Sequence, residues 1–319
     1  MQMRFPWFTT CLFIIVFNLT TAEAVCHEAD PHRILLLYSD NHLLPAISRF
    51  DQSIREVFQA ELGSSLEFYN EFMDSERFPK PEDKTRWAEY LAQKYRETKV
   101  SIIVAVRGPA LKFLMEYRER MGFHAPVIHA AVERTEVELY RSAPNLYGIP
   151  MDYELDKTIA LALKLHPNAK RMISITGSSP LDQRWQGLVR LAAQNFTPQL
   201  EVEYWSEKPL EEVLELVKRL PDDSFILCAG ILQDGKGHRY VPRMTVKRIT
   251  EVSTAPLYTV YNAVMDTGAV GGCLAVIEDM AKYAAISGAQ VLRGRPFTEL
   301  SLPAIVPNKN ILDYRQLRR

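Results

Sequence analysis

Cysteine is scarce in this chain, with four in 319 residues, at positions 11, 26, 228 and 273. So few thiols, so far apart, exclude a dense disulfide framework. An excess of one charge is lacking too: 38 Lys and Arg stand against 39 Asp and Glu, for a net charge of -1. No global field therefore draws the chain to nucleic acid or to an anionic membrane surface. Nucleotide motifs are missing as well. Tyr38-Ser39-Asp40-Asn41-His42 stands where G-x-G-x-x-G would follow the first strand, and no G-x-x-x-x-G-K-[ST] occurs anywhere, so no cofactor is indicated. Metal spacing is absent. His27-Glu28-Ala29-Asp30-Pro31-His32 is one residue too long for H-E-x-x-H, and Pro31 blocks the helix that would align its histidines. His42, His124, His129, His166 and His238 are scattered, which gives each a structural or solvated role. Finally, no apolar run approaches the roughly 18 residues of a membrane-spanning helix.

The short apolar run that does occur is at the start. Arg4 supplies a positive charge, Cys11 to Leu19 are apolar except for Asn18, and Ala22-Glu23-Ala24 offers the small-x-small pattern cut by signal peptidase. Residues 1–24 thus read as a secretory signal cleaved near Ala24, and the mature chain is expected to be soluble and periplasmic or otherwise secreted. Cys26 follows Glu23-Ala24-Val25, which lacks the Leu-small-small context of a lipid-attachment site. Cys26, Cys228 and Cys273 then form at most one bridge. The last two sit in apolar surroundings that suit buried free thiols.

Beyond the leader, short apolar runs alternate with segments of helical period, the pattern of a parallel sheet covered by helices. Ile34 to Tyr38, Leu66 to Tyr69, Ile102 to Val106 and Val127 to Ala131 are expected strands. Met172 to Thr176, Val202 to Trp205, Phe225 to Ala229 and Leu257 to Val260 repeat the series. Leu43, Ile47, Phe50, Ile54, Val57, Phe58 and Leu62 share one helical stripe, and Trp87, Leu91 and Tyr95 another. Further helices fall over Tyr153 to Leu165, Asp182 to Gln194, Leu210 to Leu220 and Val241 to Val252. The expected fold is α/β with two similar doubly wound lobes, residues 32–148 and 149–267. Part of 268–296 completes the first lobe, and 297–319 form an extended tail. Gly268-Ala269-Val270-Gly271-Gly272 reads as a sharp turn or close backbone approach that marks a return crossing.

Ligands of open parallel sheets bind beyond the carboxyl ends of the strands. The residues there are Ser39, Asp40 and Asn41; Arg107 and Gly108; Glu133 and Arg134; Ser178 and Ser179; Gly230 and Gln233; and Tyr261, Asn262 and Asp266. Helix N-termini at such loops offer backbone N–H groups to a carboxylate or phosphate. Ser39, Asp40 and Ser179 serve equally well as helix caps. Arg107 either clamps a carboxylate or pairs with a neighbouring acid. Tyr153, Trp185 and Tyr261 stack on a ligand or pack between lobes. Gly177-Ser178-Ser179 follows a strand as a nucleophile elbow would, but Leu181 stands where G-x-S-x-G needs its second glycine. A pocket hydroxyl, without catalytic residues, is the better reading.

With these loops placed, the chain resembles the periplasmic substrate-binding proteins of ABC transporters, in the group whose fold also serves as the extracellular sensor region of some histidine kinases. The resemblance is most specific in Gly268-Ala269-Val270-Gly271-Gly272, in Ala284-Ala285 through Val291-Leu292-Arg293-Gly294-Arg295-Pro296, and in Asp313-Tyr314-Arg315-Gln316-Leu317-Arg318-Arg319. It implies a type I architecture, two lobes closing over a small molecule by a hinge. It also implies a non-enzymatic role: capture of an amino acid or related carboxylate for a membrane permease, or sensing on behalf of a kinase. An exported hydrolase using Ser178 or Ser179 is the remaining reading. The expected partners are a small-molecule ligand and either that permease or a sensor kinase, with no nucleic acid and no second copy of the chain.

Overall fold

The computed structural model describes residues 30–63, 65–296, 299 and 302–318. The expected signal peptide, residues 1–24, lies outside the described residues. The first half of the chain runs β1 (His32–Tyr38), α1 (Pro45–Leu62), β2 (Leu66–Phe72), α2 (Pro81–Lys94), β3 (Ile102–Val106), α3 (Gly108–Tyr117), β4 (Val127–Ala130), α4 (Arg134–Glu138) and β5 (Leu146–Gly148). The second runs α5 (Leu155–Leu165), β6 (Arg171–Ile175), α6 (Pro180–Ala193), β7 (Glu201–Trp205), α7 (Leu210–Val217), β8 (Ser224–Cys228), α8 (Pro242–Val252), β9 (Leu257–Tyr258), β10 (Gly271–Leu274), α9 (Ile277–Leu292) and β11 (Lys309–Leu312). The strands make two sheets. One is parallel throughout, in the order β2-β1-β3-β4-β5; the other has the order β11-β10-β9-β8-β6-β7, with only β11 antiparallel.

The near-continuous apolar strands explain the layers. Successive side chains of a strand point to opposite faces, so a run with no polar break needs cover on both. In β1 and β3, Ile34, Leu36, Tyr38, Ile102, Val104 and Val106 pack against α1 and α9. Leu35, Leu37, Ile103 and Ala105 face α2 and α3. The second sheet repeats this, with Ile173, Ile175, Ile226 and Cys228 against α7 and α8. Met172, Phe225 and Leu227 face α5 and α6. Each large side chain so buried contributes about 2 kcal/mol.

Most expected elements are present, and their ends show what patterning misses. β2 continues three residues past Tyr69 to Phe72, and α1 begins at Pro45 with Leu44 as its cap residue. Leu43 therefore leaves the apolar stripe; the Asn41 Oδ1 accepts from its N–H in a local turn, and the side chain is exposed. The glycine-rich stretch makes the expected close approach: its last two residues open β10, where Gly271 has φ 131° and a Cβ would lie 2.0 Å from the Ile311 carbonyl oxygen, so β11 pairs more closely than any side chain would permit, and a crossing follows directly after β10.

The chain passes between the sheets three times, at residues 149–154, at Ala275-Val276, and at residues 302–308. Met151 ties the first of these crossings to the third. It bridges Glu133 on one side and Val306 on the other, and the Val306 N–H donates to the Pro150 carbonyl at 2.8 Å. Because α9 comes after the second crossing, it packs back on α1 and the first sheet. Among the described residues no helix is long and apolar enough to cross a membrane. Cys228 and Cys273 are free and buried; burial pushes their thiols up to about 12 and about 11, so both stay protonated.

Two predictions test this packing. A Cβ on Gly288 of α9 would meet the buried Phe58 ring at 2.7 Å, whereas one on Gly187 of α6 meets nothing within 4 Å. Gly288→Ala should lower the urea-unfolding free energy by about 1 kcal/mol or more through overpacking. Gly187→Ala should raise it by about 0.5–1 kcal/mol through helix propensity. His129 of β4 is buried with no partner for Nδ1, and desolvation lowers its pKa to about 4. The unfolded chain takes up that proton near pH 6.5, so this contribution to stability is complete above pH 6.5 and is lost as pH falls towards 4. Between pH 7 and pH 5 the loss is about 2 kcal/mol. His129→Leu should remove that part of the slope in paired denaturation curves.

Candidate functional site

The carboxyl ends of β1, β3 and β4 face those of β6, β8 and β9 across a cavity of about 130 Å³. From the first half come Asp40, Phe50, Val106, Arg107 and Ala131. From the second come Asp182, Trp185, Gly230 and Tyr261, with Tyr153 from the first crossing. The wall is mainly apolar and aromatic. Tyr153 and Trp185 meet edge to face with centroids 4.5 Å apart, and Trp185 stacks on Tyr261 at 6.1 Å and 24°. A space of this size and lining accommodates about one aromatic ring.

The charged wall is the Asp40–Arg107 pair. Arg107 Nη1 donates to both carboxylate oxygens of Asp40, at 2.8 and 2.7 Å. Burial alone would lower the guanidinium's pKa, but Asp40 more than offsets this and holds it above its ordinary value. The backbone here is unusual. Arg107 has φ 73° and ψ 164°, a region that is essentially reserved for glycine and costs about 1–3 kcal/mol. Its N–H still donates to the Ala130 carbonyl at 2.8 Å, and α3 begins at the next residue, with Pro109 as its second residue. Ala131, after β4, also has positive φ, 52°.

On the opposite wall Asp182 is buried in the first turn of α6. It accepts from the N–H groups of Ser179, Leu232 and Gln233 at 3.1–3.2 Å. Burial raises its pKa against these hydrogen bonds. Arg184, on the same helix, reaches across to Glu133 at 2.7 Å and Glu136 at 2.8 Å. Burial pushes the Glu133 carboxyl up, and Arg184 opposes that. Arg243 of α8 donates to the carbonyls of Ala263 and Met265, fixing the loop that carries Tyr261.

Of the strand-end residues singled out by sequence, Asp40, Arg107, Gly230 and Tyr261 line this cavity together. Gly230 has φ 103°, and a Cβ there would lie 2.5 Å from Pro242. The Tyr261 hydroxyl donates to the Ala229 carbonyl at 2.7 Å. Gly108 and Glu133 line an adjoining space with Arg184, and Asn41 and Ser179 line another beside Asp40. The rest are held by local structure. Ser39 caps α3, accepting from the Ala110 N–H, and Ser179 forms a capping box with Asp182. Ser178 donates to the Asp234 carbonyl at 2.7 Å. Asn262 Oδ1 accepts from the Ile277 N–H at the start of α9. Asp266 is exposed and pairs with Arg315. Among the described residues neither Ser178 nor Ser179 hydrogen-bonds a histidine, and no cluster of His, Cys, Asp and Glu has the geometry to hold a metal.

Phe50, Asp182, Arg243 and Glu76 are cleft residues that strand-end reasoning did not single out. Glu76 was hidden by the short reading of β2, whose true end at Phe72 places residues 73–77 beside Asp40.

No family model matches the chain, and no curated protein matches it. Solved structures do. The ABC domain in complex with L-Trp from Streptococcus pneumonia is 16% identical, covers 90% of this chain and 94% of its own, and gives a TM-score of 0.61. A conserved domain protein from Vibrio cholerae is 14% identical, with the same coverage and a TM-score of 0.61. The ligand-free, open structure of a substrate binding protein with adhesive properties from Clostridium difficile is 13% identical, again with 90% and 94% coverage, at 0.60. The fold is that of the type I periplasmic binding proteins. The resemblance read from the glycine-rich stretch and α9 is borne out at this level, with the cavity between the two sheets.

The strain and the ion pair at Arg107 can be separated. Arg107→Ala and Arg107→Gly both leave the buried Asp40 without its partner and should lose about 3 kcal/mol of stability. Only the glycine relieves the backbone, so Arg107→Gly should unfold at higher urea than Arg107→Ala by about 1 kcal/mol. Equal midpoints would mean the strain is not stored there.

Proposed function

We propose that this chain is an exported solute-binding protein, which captures a small organic solute, an amino acid or related carboxylate, between its lobes and delivers it to a membrane permease. One observation carries this reading: the aromatic cavity is built from both halves of the chain, with a paired Asp40 and Arg107 in its wall. A solute there touches both lobes, so its binding energy favours the closed arrangement over the open one. Arg107 Nη1 is engaged by Asp40, while among the described residues the rest of the guanidinium fork makes no hydrogen bond and can meet a carboxylate. The expected leader over residues 1–24 supports export, and the L-Trp complex of the pneumococcal domain shows a neighbour in this fold holding an amino acid. Neither Ser178 nor Ser179 is paired with a base, which supports binding without turnover.

A thermal-shift panel of amino acids, organic acids and nucleosides tests the proposal. Ligand at about 100 times its dissociation constant stabilises the native state by about 2.7 kcal/mol, so a true solute should raise the melting temperature by several degrees. A panel in which no small molecule does so removes the central claim. Permease and ATPase genes beside this one would fit delivery; kinase or response-regulator genes would move the same binding event to sensing.

A further inference from the structure

A single turn of α6 does two things at once. Asp182 and Trp185 line the aromatic cavity. Arg184, between them, reaches over to the start of α4, where Nη2 meets Glu133 at 2.7 Å and Nη1 meets Glu136 at 2.8 Å. One helical turn moves as a unit, so bringing Trp185 against Tyr153 also brings Arg184 to both acids. The ion pair is nevertheless separate from the cavity. None of Arg184, Glu133 and Glu136 lines the aromatic chamber; they wall a neighbouring space of about 20 Å³, the size of about one water.

The two acids are set in place by their own half of the chain. Glu133 precedes α4 and pairs with Met151 of the first crossing. Glu136 rests on Gly108, the first residue of α3, where a Cβ would collide with its carboxylate; the positive end of that helix favours the negative charge. Standing three positions apart, the acids repel one another, and the cation that neutralises both comes from the other half. Among the described residues, the remaining ion pairs join elements packed on one sheet or, as with Arg134–Asp152 and Lys309–Asp279, lie beside a crossing. Arg184 alone makes an ion pair across the cleft at a distance from the hinge.

We infer that Arg184, Glu133 and Glu136 form an ionic latch that holds the two halves closed, which makes Arg184 a positioning residue for the cleft. Its effect on retention rests on the solute-binding reading above. There the latch sets the fraction of closed molecules, and the apparent affinity for solute scales with that fraction, although Arg184 does not touch the solute. The three side chains are partly exposed, so the latch weakens with salt and opens without a large barrier.

Distances between spin labels on the mature chain test the latch with no ligand added. Labels at Leu139→Cys, just past α4, and Leu191→Cys, on α6, sit at exposed positions in opposite halves, and with Cys26→Ser the thiols left unlabelled are the buried Cys228 and Cys273. At low salt Arg184→Met should move the ratio of short to long distances towards long by about three- to tenfold, and Arg184→Glu should move it further. Glu133→Lys with Glu136→Lys in the Arg184→Glu chain should restore the short distance, which a mere packing role would not. Concentrated NaCl should lengthen the wild-type distance and leave Arg184→Met unchanged. Identical distributions in wild type, Arg184→Met and Arg184→Glu, or a shift that the reversed charges do not restore, overturn the latch while the solute-binding reading stands. The expected shifts in a chain that no small molecule stabilises uphold the latch and overturn the solute-binding reading alone.

Discussion

The cleft depends on the Asp40–Arg107 pair and on the backbone that holds it. Asp40 lies two residues beyond β1 and Arg107 one residue beyond β3, and the two strands are adjacent in the sheet. In-register parallel pairing therefore delivers opposite charges to one edge without any further device. Neither charge is left without a partner there, and the pair faces Asp182 and Arg243 across a chamber whose wall is mainly apolar. The positive φ of Arg107 follows from the same constraint. β3 must run without interruption into α3, and Pro109 at the second helical position fixes the direction of the helix. The residue between strand and helix absorbs the turn, and because it is an arginine its side chain is carried into the cleft.

Much of the fold was legible because both sheets are buried on two faces. Ile34-Leu35-Leu36-Leu37 and Phe225-Ile226-Leu227-Cys228 contain no polar break, and only a doubly covered strand can bury such a run. The helices between them follow from their apolar spacing. β5 and β10 were hidden because their residues carry no strand signal. Leu146–Gly148 is three residues long, and Gly271–Leu274 begins with two glycines that weaken any strand pattern. Each is specified by its neighbours: β5 by pairing with β4, and β10 by the close approach of β11.

The site was legible in part, for a related reason. The rule that ligands sit beyond strand ends brought Asp40, Arg107, Gly230 and Tyr261 to one cavity. It did not separate them from Ser39, Ser179 and Asn262, which occupy equivalent positions but spend their polar atoms on helix starts. Whether a strand-end polar side chain caps a helix or faces the cleft turns on which staggered rotamer it takes, which tertiary packing decides. Phe50 shows the converse. It lies on the apolar stripe of α1 and reads as core, which it is, yet the same ring also forms part of the cavity wall.

The crossings join the two halves that wall the cleft. Met151 pairs with Glu133 and with Val306 through single bridges, and Ala275 of the second crossing with Tyr261, so the crossings are held by isolated contacts instead of a continuous sheet. Such a connection bends more easily than either lobe deforms, because each sheet is clamped by two helical layers while the crossings carry few backbone hydrogen bonds. If the two halves close on a solute, as proposed above, such a hinge resists little and the contacts that span the cleft decide. In this structure Arg184 makes such contacts, reaching Glu133 and Glu136 from α6. The groups are partly exposed, so the link is weak and readily exchanged with water. On the solute-binding reading proposed above, a weak link leaves the larger share of closing energy to a solute that touches Tyr153, Trp185 and Tyr261 on one side and Asp40 and Arg107 on the other.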